Sequence, residues 1–237
     1  MSYRTITAFC LFTLIGTSVA HAQLIWRSDL PGTFIDIATN GGIPLNLDDE
    51  DETVINVSIG NFLFPAGPVA VGNNGGAAWA PPSTNLGPVN QPLPSLQAFG
   101  GGRSLLPFWD DIGNTVGDVW YRQDPNQLII QWKGNHFGDS NDTTNFELQV
   151  KNLGPSLGPG NEIIAQLLYQ DIQQPRADGG ASATIGYQAD AASPFVSNQF
   201  SFDTPDSVYD GTVLSLLVPE PAGIGLLAMG LLAIRRR

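Results

Sequence analysis

Asn145-Phe146-Glu147-Leu148-Gln149-Val150-Lys151 alternates polar and apolar side chains without a break. Successive side chains of a strand point to opposite faces, so Phe146, Leu148 and Val150 fall on one side and Asn145, Glu147, Gln149 and Lys151 on the other. This pattern predicts an antiparallel strand with one face on a core and the other in water. Gln199-Phe200-Ser201-Phe202-Asp203 repeats it. Leu128, Ile130 and Trp132 share a face, as do Ile163, Ala165, Leu167 and Tyr169. Further short strands are expected over 33–37, 53–59, 116–122, 182–188 and 213–218. Between two of them, Asp124-Pro125-Asn126 predicts a tight hairpin: proline presets φ, and the Asx side chains bond the local backbone. Short strands with frequent turn signals predict an all-β fold, an antiparallel two-sheet β-sandwich, with jelly-roll or barrel closure as the competing arrangement. Residues 81–103 break the alternation with five prolines and end in Gly100-Gly101-Gly102. An extended surface loop is the expectation there.

Outside this domain both ends carry addresses. Arg4 precedes a mostly apolar run over 6–19, and Ala20-His21-Ala22 forms an A-x-A cleavage site. That is the layout of a secretory signal peptide over 1–22, leaving Gln23 as the first mature residue. Cys10, the one cysteine, goes with it, so disulfides, a thiolate nucleophile and a cysteine metal site are excluded from the mature chain. At the other end Val218-Pro219-Glu220-Pro221 leads into an uncharged run over 222–234 and then Arg235-Arg236-Arg237. A membrane-spanning helix wants ~20 apolar residues, more than this run offers. Three arginines behind it would stay on the cytoplasmic side. Residues 218–237 thus predict a hydrophobic sorting helix with a basic stop, the kind of tail that is removed on processing. The domain between the two signals covers 23–217.

Without the signals, six of ten basic residues and 21 of 22 acidic ones remain, a net charge of −15. Such a surface repels nucleic acid and anionic lipid and suits a soluble extracellular domain. With 27 glycines and 18 prolines the composition is that of a turn-rich β protein.

Catalytic patterns are missing. His136 is the one histidine left, there is no G-x-S-x-G elbow, no H-E-x-x-H and no phosphate-binding G-x-x-x-x-G-K. His136 follows a strand in Gly134-Asn135-His136-Phe137 and is expected to be a hydrogen-bonded loop residue. Two carboxylates such as Asp110 and Asp111 could in principle run glycoside hydrolysis, but adjacent strand residues point to opposite faces. A cofactor is not expected. Calcium is the one ion with candidate ligands: Asp139, Asn141, Thr143 and Asn145 offer oxygens at alternating positions. The loop lacks the glycine and the terminal acid of an EF-hand. The acidic run Asp48-Asp49-Glu50-Asp51-Glu52 is a second place where a cation would relieve repulsion. Phe108, Trp109, Trp120 and Trp132 could stack on sugar rings, but aromatic residues of a sandwich more often fill its core.

The C-terminal order of Pro-Glu-Pro, short apolar run and arginine cluster resembles the PEP-CTERM signal of Gram-negative bacteria. That resemblance implies recognition and processing by exosortase, a membrane protease-transpeptidase, after export by the general secretory translocon. It also implies transient insertion of 222–234 in the inner membrane and residence at the cell surface, outer membrane or extracellular matrix, in company with exopolysaccharide. Within the domain, Leu106-Pro107-Phe108-Trp109-Asp110-Asp111, Val119-Trp120-Tyr121-Arg122, Ile129-Ile130-Gln131-Trp132, 145–150, Tyr169-Gln170-Asp171 and 181–187 follow one another in an order similar to the NIDO-type domain of nidogen-like surface proteins. Glu147 stands where that family usually has glutamine. The resemblance covers about 105–190 and implies no catalytic activity. Together these readings lead to a non-catalytic exported surface or matrix protein, with a Ca²⁺-assisted glycan-binding module or adhesin as the alternative and a carboxylate hydrolase as a third.

Overall fold

A computed structural model describes residues 23–79, 86–155, 162–172, 179–190, 193 and 195–218. The signal segment, with Ala20 and Ala22, and the tail from Pro219 to Arg237 lie outside them; Gln23 and Val218 lie inside. Among the described residues there is no helix long and apolar enough to cross a membrane.

Among the described residues thirteen strands make two antiparallel sheets. The chain begins with β1 (Ile25–Arg27) and β2 (Ile43–Pro44). It then runs a meander of β3 (Glu52–Val57), β4 (Gly67–Gly72), β5 (Gly76–Trp79) and β6 (Arg103–Trp109). At Asp110-Asp111 it crosses to the opposite layer. There it runs a second meander of β7 (Ile112–Asp124), β8 (Gln127–His136), β9 (Thr143–Lys151) and β10 (Ile163–Asp171). β11 (Thr184–Gln188) and β12 (Asn198–Phe202) return beside β6, and β13 (Val213–Leu217) returns beside β10. One sheet has the order β1-β13-β10-β9-β8-β7-β2 and the other β12-β11-β6-β5-β4-β3. Two facing sheets bear out the sandwich. Its layers are built from two consecutive meanders.

The expected hairpin is present: Asp124 pairs with Gln127 across Pro125-Asn126. Inward-facing Leu128, Ile130, Trp132, Phe146, Leu148, Val150, Leu167 and Tyr169 join Val69, Val71, Leu105 and Phe108 from the other layer in one core. Trp132 and Phe146 stack with ring centroids 5.4 Å apart. Two long polar handles tie the layers together: Trp132 Nε1 donates to Gly72 O at 2.8 Å, and Tyr169 Oη to Pro107 O at 2.6 Å. A bulge between Ile163 and Ala165 puts Ile164 in the core where the two-residue period pointed to Ile163.

Four expectations are overturned. In β12 Ser201 is buried while Phe200 is exposed and Phe202 half-buried, the reverse of the alternation read over 199–203. Residues 33–36 form no strand, and Ile37 opens a turn over 37–40. They belong to a strap over 31–40 that crosses the outer face of the seven-stranded sheet. Its backbone is met by side chains: Gln166 Nε2 on Pro31 O, Gln149 Nε2 on Thr33 O, Glu147 Oε1 on Ile35 N, Gln131 Oε1 on Ala38 N and Arg122 on Asn40 O. These come from β10, β9, β8 and β7 in turn, so the strap runs across the strands. Consequently the second face of 145–151 is not wet. Glu147, Gln149 and Asn145 are buried, and their polarity serves the strap backbone, whose groups would otherwise lose water unpaired. Lastly, the described part of the 81–103 loop is no free surface loop. Leu86, Ala98 and Phe99 pack on Ala70, Ala78, Leu106 and Trp109 and cover the outer face of the six-stranded sheet. Trp109 Nε1 donates to Gly87 O at 2.7 Å, and buried Gln188 donates to Ala98 O and Gly102 O.

Candidate functional site

The residues singled out by sequence fall in separate places. Phe108, Trp109 and Trp132 are buried, and Trp120 on β7 is half-buried, so these four do not form an exposed aromatic platform. Two exposed aromatics, Phe200 and Tyr209, instead line an open groove of about 540 Å³ with Asp29, Ser28, Ser207 and Thr212, while exposed Phe137 lies at a separate cavity. Arg27, beside this groove, is forked onto Asp29 in an exposed ion pair.

At the crossover between layers, Asp110 is buried. Its Oδ2 accepts the Ser182 hydroxyl at 2.7 Å and its Oδ1 the Asp111 N–H at 2.9 Å. His136, which ends β8, brings Nε2 to 3.8 Å from the same carboxylate. Burial pushes the Asp110 carboxyl above the usual range, and Ser182 opposes the shift. Asp111 is also raised, by its own burial and by the nearby negative charge of Asp49. A serine, an acid and a histidine thus meet, but with the carboxylate in the middle. The serine proton is given to Asp110, and His136 Nδ1 faces Phe137 O at 3.2 Å, so His136 does not stand as a base on the hydroxyl.

The calcium candidates are split between two cavities. Asp139 lines one of about 370 Å³ with Asp49 and Ser140, and its Oδ1 accepts the Asn141 N–H at 3.1 Å in the turn. Thr143 and Asn145 stand two apart on β9 and open onto another, of about 470 Å³, with Asp36, Lys133, Gln170 and Asp171. Lys133 brings an ammonium to the same cavity, which repels a dication. Among the described residues no three His, Cys, Asp or Glu side chains gather as a metal centre would need. In the acidic run, Glu52 turns inward on β3, takes the Leu86 N–H on Oε1 and is pushed up by burial.

The third cavity is the most highly built of these. Gln131, fully buried below it, gives one proton-bearing amide to Asp36 Oδ1 at 3.0 Å and to Asn145 Oδ1 at 2.8 Å. Thr39 donates to Asp36 Oδ2 at 3.0 Å, Thr143 to Asp171 Oδ2 at 2.7 Å and Asn145 Nδ2 to Gln170 Oε1 at 2.8 Å. Partial burial pushes the Asp36 carboxyl up, but the bonds from Gln131 and Thr39 and the positive charge of Lys133 outweigh it and hold Asp36 below its ordinary pKa. The arrangement presents carboxylates, an ammonium and two amides in fixed positions on a sheet face. Sequence reasoning found Thr143 and Asn145 but missed Asp36, Lys133, Gln170 and Asp171, because the strap and β8, β9 and β10 bring them together only in the folded chain. No model of a known protein family matches this chain, and neither a curated protein nor a solved structure is similar to it.

Proposed function

We propose that the chain is a non-catalytic exported protein of the cell surface or extracellular matrix, sorted and processed through its C-terminal Pro-Glu-Pro tail by an exosortase-type enzyme. The observation that carries this reading is the seam between domain and tail. β13 ends at Leu217, buried Val218 gives its N–H to Glu162 O at 3.3 Å, and the sorting motif begins with the next residue. Cleavage beyond Val218 would leave β13 and its pairing with β1 and β10 intact. The test is to express the chain with and without 219–237 in a Gram-negative host that carries an exosortase. The expected result is a shortened mature C terminus by intact-mass measurement and a changed cell fraction for the truncated form. An unprocessed C terminus with unaltered fractionation sinks the reading.

A second reading, glycan binding, is favoured by the polar cavity around Asp36 and Lys133. It needs no calcium, because the ammonium already supplies positive charge there.

A further inference from the structure

We propose that the cavity formed by Asp36, Lys133, Thr143, Asn145, Gln170 and Asp171 binds a neutral saccharide ring of an extracellular polysaccharide. This rests on the glycan-binding reading and gives it a place and a ligand class. Four observations lead there.

The volume, about 470 Å³, falls within the range of small-molecule sites. The polar groups are mixed in kind: carboxylates only accept, an ammonium only donates, and the amides do both. Sugar hydroxyls, which each donate and accept, match such a set, whereas a cation or an anion would satisfy only half of it. Next, the set is preorganised. Gln131 and Asn145, both more than nine-tenths buried, hold Asp36 and Gln170 in place through bonds of 2.8–3.0 Å. Fixing polar groups beforehand lowers the ordering cost of binding. Finally, the Lys133 side chain has no hydrogen-bond or ion-pair partner among the described residues, though its charge lies close enough to Asp36 to lower that carboxyl's pKa. Lys133 lines this cavity, and an ammonium without a partner among the described residues is a donor awaiting oxygen acceptors. Polyanions are disfavoured by Asp36, by Asp171 and by the net charge of −15 on the mature chain.

The test is affinity electrophoresis of the full chain in mild detergent. It runs through gels cast with dextran, mannan, galactan or the polyuronate alginate. Lys133→Gln removes the charge of a side chain that bonds to no described residue and leaves its backbone pairing in place, and Asp36→Asn removes one acceptor. Tyr209→Ala, in the separate 540 Å³ groove, is the control. Melting temperatures of all variants report folding independently. The expected result is retardation of the wild type by at least one neutral gel. Lys133→Gln should weaken it roughly tenfold, the size of a hydrogen bond to a charged group. Tyr209→Ala should leave it unchanged. If the wild type is retarded but Lys133→Gln and Asp36→Asn behave like it, the cavity is the wrong place and glycan binding itself stands. Retardation by alginate alone overturns the neutral class. No retardation in any gel overturns both the site and the reading beneath it.

Discussion

Glu147 is the residue at which the alternating pattern and the structure part most sharply. The alternation places it on the wet face of its strand, and the fold places it at 0% exposure under the strap. Its Oε1 takes the Ile35 N–H at 3.1 Å and the Gln149 amide at 2.6 Å, while Oε2 has no partner. Lys151 Nζ spends itself on Gln149 Oε1 at 2.8 Å and Gln127 Oε1 at 2.7 Å. Burial therefore wins over these bonds and over the charges of Lys151 and Arg122, and the carboxyl rises from 4.5 to about 7. A folded-state pKa above the unfolded one means that the native protein holds the proton more tightly. The associated stability is full below pH 4.5 and is lost as pH rises through about 7. At 1.36 kcal/mol per unit this amounts to about 3 kcal/mol between pH 4.5 and 8. Glu147→Gln keeps an Oε1 acceptor for Ile35 and Gln149 and removes the titration. Urea unfolding at pH 5 and pH 8 should show the variant losing at least 2 kcal/mol less than the wild type over that interval, on the order of the shift above. Asp110, Asp111 and Glu52, raised in the same direction, contribute equally to both proteins and cancel. Parallel slopes for the two would show that Glu147 is not the titrating group.

At the level of elements, the strands were legible and their covers were not. Strands 145–151 and 128–132 announce themselves because one face packs on the apolar core while the other carries polar side chains, a period of two that persists where the strap buries both faces. The strap has no such period: it makes its bonds to side chains of four strands and not to a neighbouring backbone. Its Gly32 lies so close to the sheet that a Cβ would come within 2.8 Å of Val213 Cγ1. The cover over the six-stranded sheet was hidden by its prolines and glycines, which mark turns correctly but conceal the two anchors, Leu86 and Phe99. This cover provides its own contrast. Phe99 is fully buried against Leu106 and Trp109, whereas Leu96, three residues earlier, is 79% exposed. Phe99→Ala should lower stability by about 3–5 kcal/mol, the usual effect of emptying a large aromatic site. Leu96→Ala should stay within about 0.5 kcal/mol, as surface changes do. Chemical denaturation of both settles it, and equal effects would mean that the segment does not pack on the sheet.

For the whole molecule, the fold class follows from local patterns, but the topology and the candidate binding cavity do not. Residues 36, 133, 143, 170 and 171 meet only because the strap lies over β8, β9 and β10. Nothing in the spacing of those residues encodes that meeting. The same long-range dependence holds the domain closed. β13 is paired on one side with β1, Ile25 opposite Leu217, and on the other with β10, Leu167 opposite Leu214. Leu214 and Leu216 enter the core shared by both layers. The chain between 23 and 218 should therefore unfold as one unit and need its last strand to fold at all. A fragment covering 23–218 is expected to give a single transition, with tryptophan fluorescence and far-ultraviolet circular dichroism coincident. The fluorescence reports the buried Trp79, Trp109 and Trp132, one packed under the outer cover and two in the central core, so it samples both clusters. A fragment ending at 212 exposes the edges of β1 and β10 and three core leucine and valine positions. It should fail to show the cooperative transition and should aggregate through the unpaired edges. If the shorter fragment unfolds at the same midpoint as the longer one, β13 is an appendage. The sandwich would then close without the strand that joins its first and last segments.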